Sequence, residues 1–190
     1  MGFLDKLGKT IEVWLGDDEE EYEEAEQKTL REINKDKGDA FEQYVVNIFN
    51  RQKKYFAIHD WTRDVGYKQA GAYVESNQHP DLIIRYKYND EKFAVECKWR
   101  SKLYYNKKFN TPMLGWAIPD KIKRYNKYSK EQKIPVFIFI GLGGSPDNPD
   151  HTFCIPLHEA KYPDLFPSLL EQYERSPADK TFFWRDGMLK

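Results

Sequence analysis

The chain has 190 residues, the length of one domain with room for an appendage. Its thirty Lys and Arg against thirty-one Asp and Glu give a formal net charge of -1. That near-neutrality hides a segregation of charge: residues 1–37 carry twelve acids and six bases, whereas residues 98–133 carry eleven bases and two acids.

The longest strongly apolar run, Ile134 to Leu142, is well short of the roughly 20 residues that span a bilayer, so no transmembrane helix and no stable membrane association are expected. The first sixteen residues mix acids and lysines into their apolar pattern and lack a small-residue cleavage site, which argues against a secretory signal. Lys6 stands where myristoylation of Gly2 would favour Ser or Thr. Two cysteines, Cys97 and Cys154, make no CxxC pair and no framework; the expectation is a reduced protein of the cytoplasm.

Taken in chain order, Phe3, Leu4, Leu7, Ile11, Trp14 and Leu15 recur at helical spacing, which predicts a short amphipathic helix over residues 3–15. Residues 17–26 hold eight acids, a solvated linker or exposed helix on the plain reading, with shielding of the later basic stretch as the functional alternative. Phe41, Val45, Ile48 and Phe49 predict a helix over 39–52, with Asp39 complementing its first turn and Glu42 at the rim of its apolar stripe. Tyr55 to Trp61 reads as a strand, and 63–79 as a connecting excursion. Leu82 to Tyr88 and Phe93 to Lys98 alternate on either side of an Asn89-Asp90 turn signal, so they predict an antiparallel hairpin.

A polar, aromatic loop (100–114), a helix (115–132), a doubly buried strand led by Pro135 and a strand at 151–157 complete the pattern. The tail, 158–190, reads as a peripheral helix and packing strap. The expected division is 1–37 (helix and acidic connector), 38–157 (core domain) and 158–190 (extension).

One constellation on this map carries chemistry. Asp81 opens the second strand after Pro80, and a period of two puts Glu96 and Lys98 on one face of the third strand, with Cys97 on the other. The hairpin brings Asp81 toward Glu96. Two carboxylates that close repel unless a cation sits between them, and hard oxygens of this kind suit Mg²⁺. A plain reading remains beside this one: Asp81 caps a turn, and Glu96 and Lys98 are ordinary strand-surface charges.

Pro80-Asp81, a fifteen-residue step, then Glu96-Cys97-Lys98 resembles the motif of the PD-(D/E)xK nuclease superfamily, and Lys37-Gly38-Asp39-Ala40-Phe41-Glu42 resembles its first-helix signature. The resemblance covers about residues 37–157. It implies a restriction-endonuclease-like α/β fold in αβββαβ order, with a central mixed sheet of four to five strands flanked by helices. It further implies a Mg²⁺-dependent endodeoxyribonuclease, with Mn²⁺ as a substitute ion. Asp81 and Glu96 would bind the metal, the Cys97 carbonyl would be a third ligand, Glu42 an accessory one, and Lys98 would orient the attacking water. Some branches carry Gln-x-x-x-Tyr on the next helix; here Lys121-x-x-x-Tyr125 keeps only the tyrosine.

The basic stretch suggests DNA as the partner. Arg100, Lys102, Lys107, Lys108, Lys121 and Arg124 are candidate phosphate contacts. They are interleaved with rings, including Trp99, Tyr104, Tyr105, Phe109, Trp116, Tyr125 and Tyr128, that can stack on bases or line a groove. Tyr125 is counted among the nucleic-acid contacts. Cutting both strands of a duplex calls for a homodimer or two visits. The alternative function is a non-cleaving module that holds nucleic acid or a protein on a nuclease fold.

Overall fold

A computed structural model describes residues 29–62, 79–176 and 180–190. The expected helix at 3–15, the acidic run at 17–26 and all but the last residue of the 63–79 excursion lie outside the described residues. Gly38–Lys190 forms one compact unit, which holds every strand of the fold described below. Among the described residues no helix is long and apolar enough to cross a membrane.

The first helix, α1, is described over residues 29–51, so Gly38 and Asp39 lie inside it rather than at its start. Residues 29–37 are helical but exposed throughout. An apolar stripe marks a helix only where it meets a core, which is why the sequence pattern does not include residues 29–38.

Three antiparallel strands follow: β1 (Phe56–Trp61), β2 (Leu82–Tyr86) and β3 (Lys92–Arg100). The expected loop at 100–114 instead contains β4 (Tyr104–Asn106) and β5 (Thr111–Gly115), paired as a small hairpin. Helix α2 (Pro119–Gln132) then crosses over to β6 (Val136–Leu142), which runs parallel to β3, and β7 (His151–Pro156) pairs antiparallel with β6. A parallel pair needs such a crossover. The sheet order is β1-β2-β3-β6-β7, a mixed five-stranded α/β sheet; apart from the small β4–β5 hairpin, α1, β1 to β3, α2 and β6 follow the αβββαβ order expected from the sequence.

Each face of the sheet has its own core. Phe41, Val45, Ile48 and Phe49 of α1 pack against Leu82, Ile84, Phe93, Val95 and Phe139. Ile122, Tyr125 and Tyr128 of α2, with Trp116, pack against Ala94, Ile138, Ile140 and Ile155 on the opposite face. Strand β3 is therefore buried on both sides from Phe93 to Cys97, and the half-exposed alternation expected for it is not found. Its central position, between β2 and β6, gives both of its faces a covering layer.

The C-terminal residues do more than strap the surface. β8 (Asp164–Leu165) adds to β5, α3 (Pro167–Gln172) follows, and β9 (Trp184–Arg185) and β10 (Met188–Leu189) form a hairpin. Phe182, Trp184 and Leu189 enter the α1-side core, where Trp184 stacks on Phe93 with ring centroids 4.7 Å apart. Many of the described aromatic side chains are thus core, including Trp116 and Tyr128, which the sequence pattern groups with the basic surface.

The contact between α1 and β6 depends on the absence of a side chain at Gly141: a Cβ there would collide with the Phe41 ring. Phe41→Ala is predicted to cost about 3–5 kcal/mol by urea denaturation, and Gly141→Ala about 1–3 kcal/mol through overpacking. Phe41→Leu combined with Gly141→Ala should cost less than the sum of the single changes, because the shorter side chain vacates the space the new methyl needs.

Candidate active site

The β2–β3 register pairs Leu82 with Val95, and continuing it by one residue sets Asp81 opposite Glu96. Backbone pairing of β2 with β3 stops at Leu82, so the Cys97 N–H donates instead to the Asp81 side chain, Oδ2, at 2.7 Å. A carboxylate has taken the place of a ladder carbonyl. This fixes Asp81 against the strand that carries Glu96 and Lys98.

Lys98 Nζ is the meeting point of the cluster. It forms an ion pair with Glu96 Oε1, donates to the Cys97 carbonyl at 3.0 Å and lies 3.9 Å from Asp81 Oδ2. The three oxygens assigned from sequence as metal ligands converge on this one ammonium. Glu96 is only 2% exposed, and its Oε1 also accepts a short hydrogen bond from the Tyr125 hydroxyl of α2. Its Oε2 is buried with no hydrogen-bond partner.

The electrostatics follow from crowding in a dry place. Burial, then the neighbouring Glu96, pushes the Asp81 carboxyl well above the usual range, with Lys98 and the Cys97 N–H opposing. Burial disfavours the Lys98 ammonium, but Glu96 and Asp81 together outweigh it and hold its pKa above the ordinary lysine value. The Tyr125 hydroxyl is likewise pushed up by burial and by Glu96, so it remains a donor. Burial, followed by Asp81, raises the Cys97 thiol, whose side chain belongs to the α1-side core.

Glu42 approaches from α1. The Trp61 indole N–H donates to its Oε2 at 3.1 Å, and burial raises its pKa, with smaller effects of Asp39, Lys98 and Glu96. Among the described residues no three His, Cys, Asp or Glu side chains form a ready metal cage. The donor set that fits a hard divalent cation is therefore Asp81, Glu96 and the Cys97 carbonyl, with the unsatisfied Glu96 Oε2 as a further buried acceptor.

Two of the residues assigned to nucleic acid are used otherwise. Tyr125 is 4% exposed and is spent on Glu96, so its ring is not available to a base. The Arg100 guanidinium donates to the carbonyls of Gly115, Trp99 and Trp116, at 2.7, 2.8 and 3.1 Å, and clamps the base of the β4–β5 hairpin rather than a phosphate. Lys102, Lys107 and Lys108 are exposed on that hairpin. Lys121 and Arg124 are half-buried on α2; burial, then Lys98, lowers the Lys121 pKa, which puts that ammonium beside the cluster.

Sequence reasoning missed two partners, Tyr125 for Glu96 and Trp61 for Glu42. The second has no local signal. The first had one: Ile122, Tyr125 and Tyr128 recur every three residues on α2, the spacing of a buried helix face.

No family model matches the chain, and no curated protein matches it. Among solved structures, the chain is similar to Hjc, a Holliday junction resolvase from the archaeal hyperthermophile Archaeoglobus fulgidus, with 16% sequence identity and a TM-score of 0.47, over 72% of this chain and 93% of that one.

Proposed function

We propose that this domain is a metal-dependent nuclease that hydrolyses phosphodiester bonds of DNA, with Mg²⁺ as the working ion and Mn²⁺ as a substitute. The observation that carries the reading is the convergence of Asp81 Oδ2, Glu96 Oε1 and the Cys97 carbonyl on a single cationic point beside a buried, unsatisfied Glu96 Oε2. A bland charged surface does not bury a carboxylate to 2% exposure in the central strand of a sheet.

Asp81, Glu96 and the Cys97 carbonyl would hold the ion, and Glu42 would reach it through water. Bound there, a divalent ion supplies Lewis acidity to the scissile phosphate and lowers the pKa of a coordinated water. Lys98, which here pairs with Glu96 and lies near Asp81, would orient the attacking water and offset charge that develops on the phosphate. Tyr125 keeps Glu96 aligned from α2, and the Cys97 N–H keeps Asp81 aligned from β3. Exposed Lys102, Lys107 and Lys108, with Lys121 and Arg124, would carry the DNA backbone. A duplex cut on both strands requires a homodimer or two visits by one copy.

One observation favours the rival reading, a non-cleaving module: the Lys98 ammonium already offsets part of the carboxylate charge without a metal. Cleavage decides between them. Wild type is predicted to cut DNA in Mg²⁺ and not in EDTA, and Asp81→Ala, Glu96→Ala and Lys98→Ala each to lower the rate by about 10³-fold or more while circular dichroism stays native. Undiminished cutting by the Glu96 variant would remove the proposed centre.

A carboxyl whose pKa is raised in the folded state costs stability as pH climbs through that value, so Asp81 opposes folding at neutral and higher pH in the absence of metal. Asp81→Asn keeps an acceptor for the Cys97 N–H and drops the charge. At pH 8 in EDTA this variant should melt at or above the wild-type temperature, yet gain nothing from added Mg²⁺, which should stabilise wild type.

A further inference from the structure

The hairpin that follows β3 has a construction that its connecting role does not require. It is short, but it is held at both ends. At its base, Arg100 ties the carbonyls of Gly115 and Trp116, and the Tyr104 hydroxyl meets the Asp164 carboxylate of β8. At its tip, the Asn106 side chain accepts from the N–H groups of Lys108 and Phe109, at 3.0 and 3.3 Å, and the Tyr105 hydroxyl donates to Asn110.

This element exposes three rings: Tyr104, Tyr105 and Phe109 are 42, 58 and 51% exposed, and the Phe109 ring also meets the edge of Phe166, with centroids 5.5 Å apart. Lys102, Lys107 and Lys108 surround them, with Lys108 Nζ 5.3 Å from the centre of the Phe109 ring, and residues 101–110 contain no acid. Tyr88, Tyr162, Phe166 and Phe183 are exposed as well, but they are spread over separate elements, whereas the hairpin groups three rings on one short element among lysines.

We infer that the β4–β5 hairpin is a stacking platform for unpaired bases, and that the substrate class of the site is DNA with single-stranded character, such as a flap, a frayed end or a branch. The inference rests on the nuclease reading above and names the substrate for it. Flat rings offered beside phosphate-seeking ammonium groups match an anionic strand whose base faces are open, and an intact duplex offers no such faces. A second copy of this chain is a poor occupant, because a two-fold contact would bring the lysines of both hairpins together. Tyr104 lies six residues beyond Lys98, at most about 20 Å along extended chain, so a strand stacked on the hairpin reaches the cluster within a few nucleotides.

The test uses the full chain in EDTA, which prevents cutting, and compares a labelled oligothymidylate of about 20 nucleotides with a duplex of the same length. Tyr105→Ala and Phe109→Ala should each weaken single-strand binding by about 5- to 150-fold and change duplex binding by no more than about threefold. Tyr105→Phe keeps the ring and loses the hydroxyl; it should retain single-strand affinity, whereas a merely structural bond to Asn110 would make it fail with the alanine variant. Equal losses on both probes, no loss on either, or a changed oligomeric state by size-exclusion chromatography would overturn the platform. Wild-type cleavage of a flapped duplex in Mg²⁺, measured in parallel, separates the two readings. Ring effects without cleavage sink the nuclease and leave the platform; cleavage without ring effects does the reverse.

Discussion

A carboxylate in the central strand of a sheet is the constraint around which this domain is arranged. Glu96 has apolar neighbours before and after it on β3 and is nearly sealed from water. An isolated charge in such a place costs several kcal/mol even after the surroundings relax, a large share of a small domain's stability, so partners are needed to meet it. Lys98 comes from the same strand two residues on, Tyr125 from the helix that covers this face, and Asp81 from the neighbouring strand. Breaking a buried pair of this kind leaves one charge without a partner, at a cost of about 3–5 kcal/mol. Replacing all of it by apolar residues would be easier on stability. The cluster therefore reads as a device for function that the fold tolerates.

The rest of the fold holds that device still. β3 is gripped on one side by β2 and on the other by a seven-residue parallel pairing with β6. The α1-side core, closed by Phe182, Trp184 and Leu189 from the C-terminal hairpin, presses on the face carrying Val95 and Cys97. The α2-side core presses on the face carrying Ala94 and supplies the tyrosine that aligns Glu96. Arg100 then turns the end of the strand into the foundation of the exposed β4–β5 hairpin. One strand thus connects the proposed metal site to the surface proposed to meet the substrate.

What was legible in the sequence was whatever local periodicity encodes. The alternation of 82–88 and 93–98 gave the hairpin, and the two-residue period placed Glu96 and Lys98 together and Cys97 apart. Features set by tertiary partners were not legible. The exposed stretch of α1 over residues 29–37 lacks an apolar stripe, so the sequence pattern left it out of the helix. Arg100 and Tyr125 looked like surface contacts because charge and aromaticity carry no mark of what a side chain will face; a clamp across fifteen residues and a bond across twenty-nine depend on the finished fold. The tail read as a helix and strap at the periphery because three prolines break its apolar residues into short runs, yet Trp184 stacks on Phe93 in the core.

The central claim is that Asp81, Glu96 and the Cys97 carbonyl form a divalent-cation site now balanced by Lys98. Titration calorimetry with Mg²⁺ and Mn²⁺ alone, without nucleic acid, addresses it directly in wild type, Glu96→Gln and Lys98→Ala. The account predicts saturable binding in wild type, its loss in Glu96→Gln, and binding that persists in Lys98→Ala, where no ammonium competes for the oxygens. Absence of binding in both wild type and Lys98→Ala, or equal binding in Glu96→Gln, would contradict it.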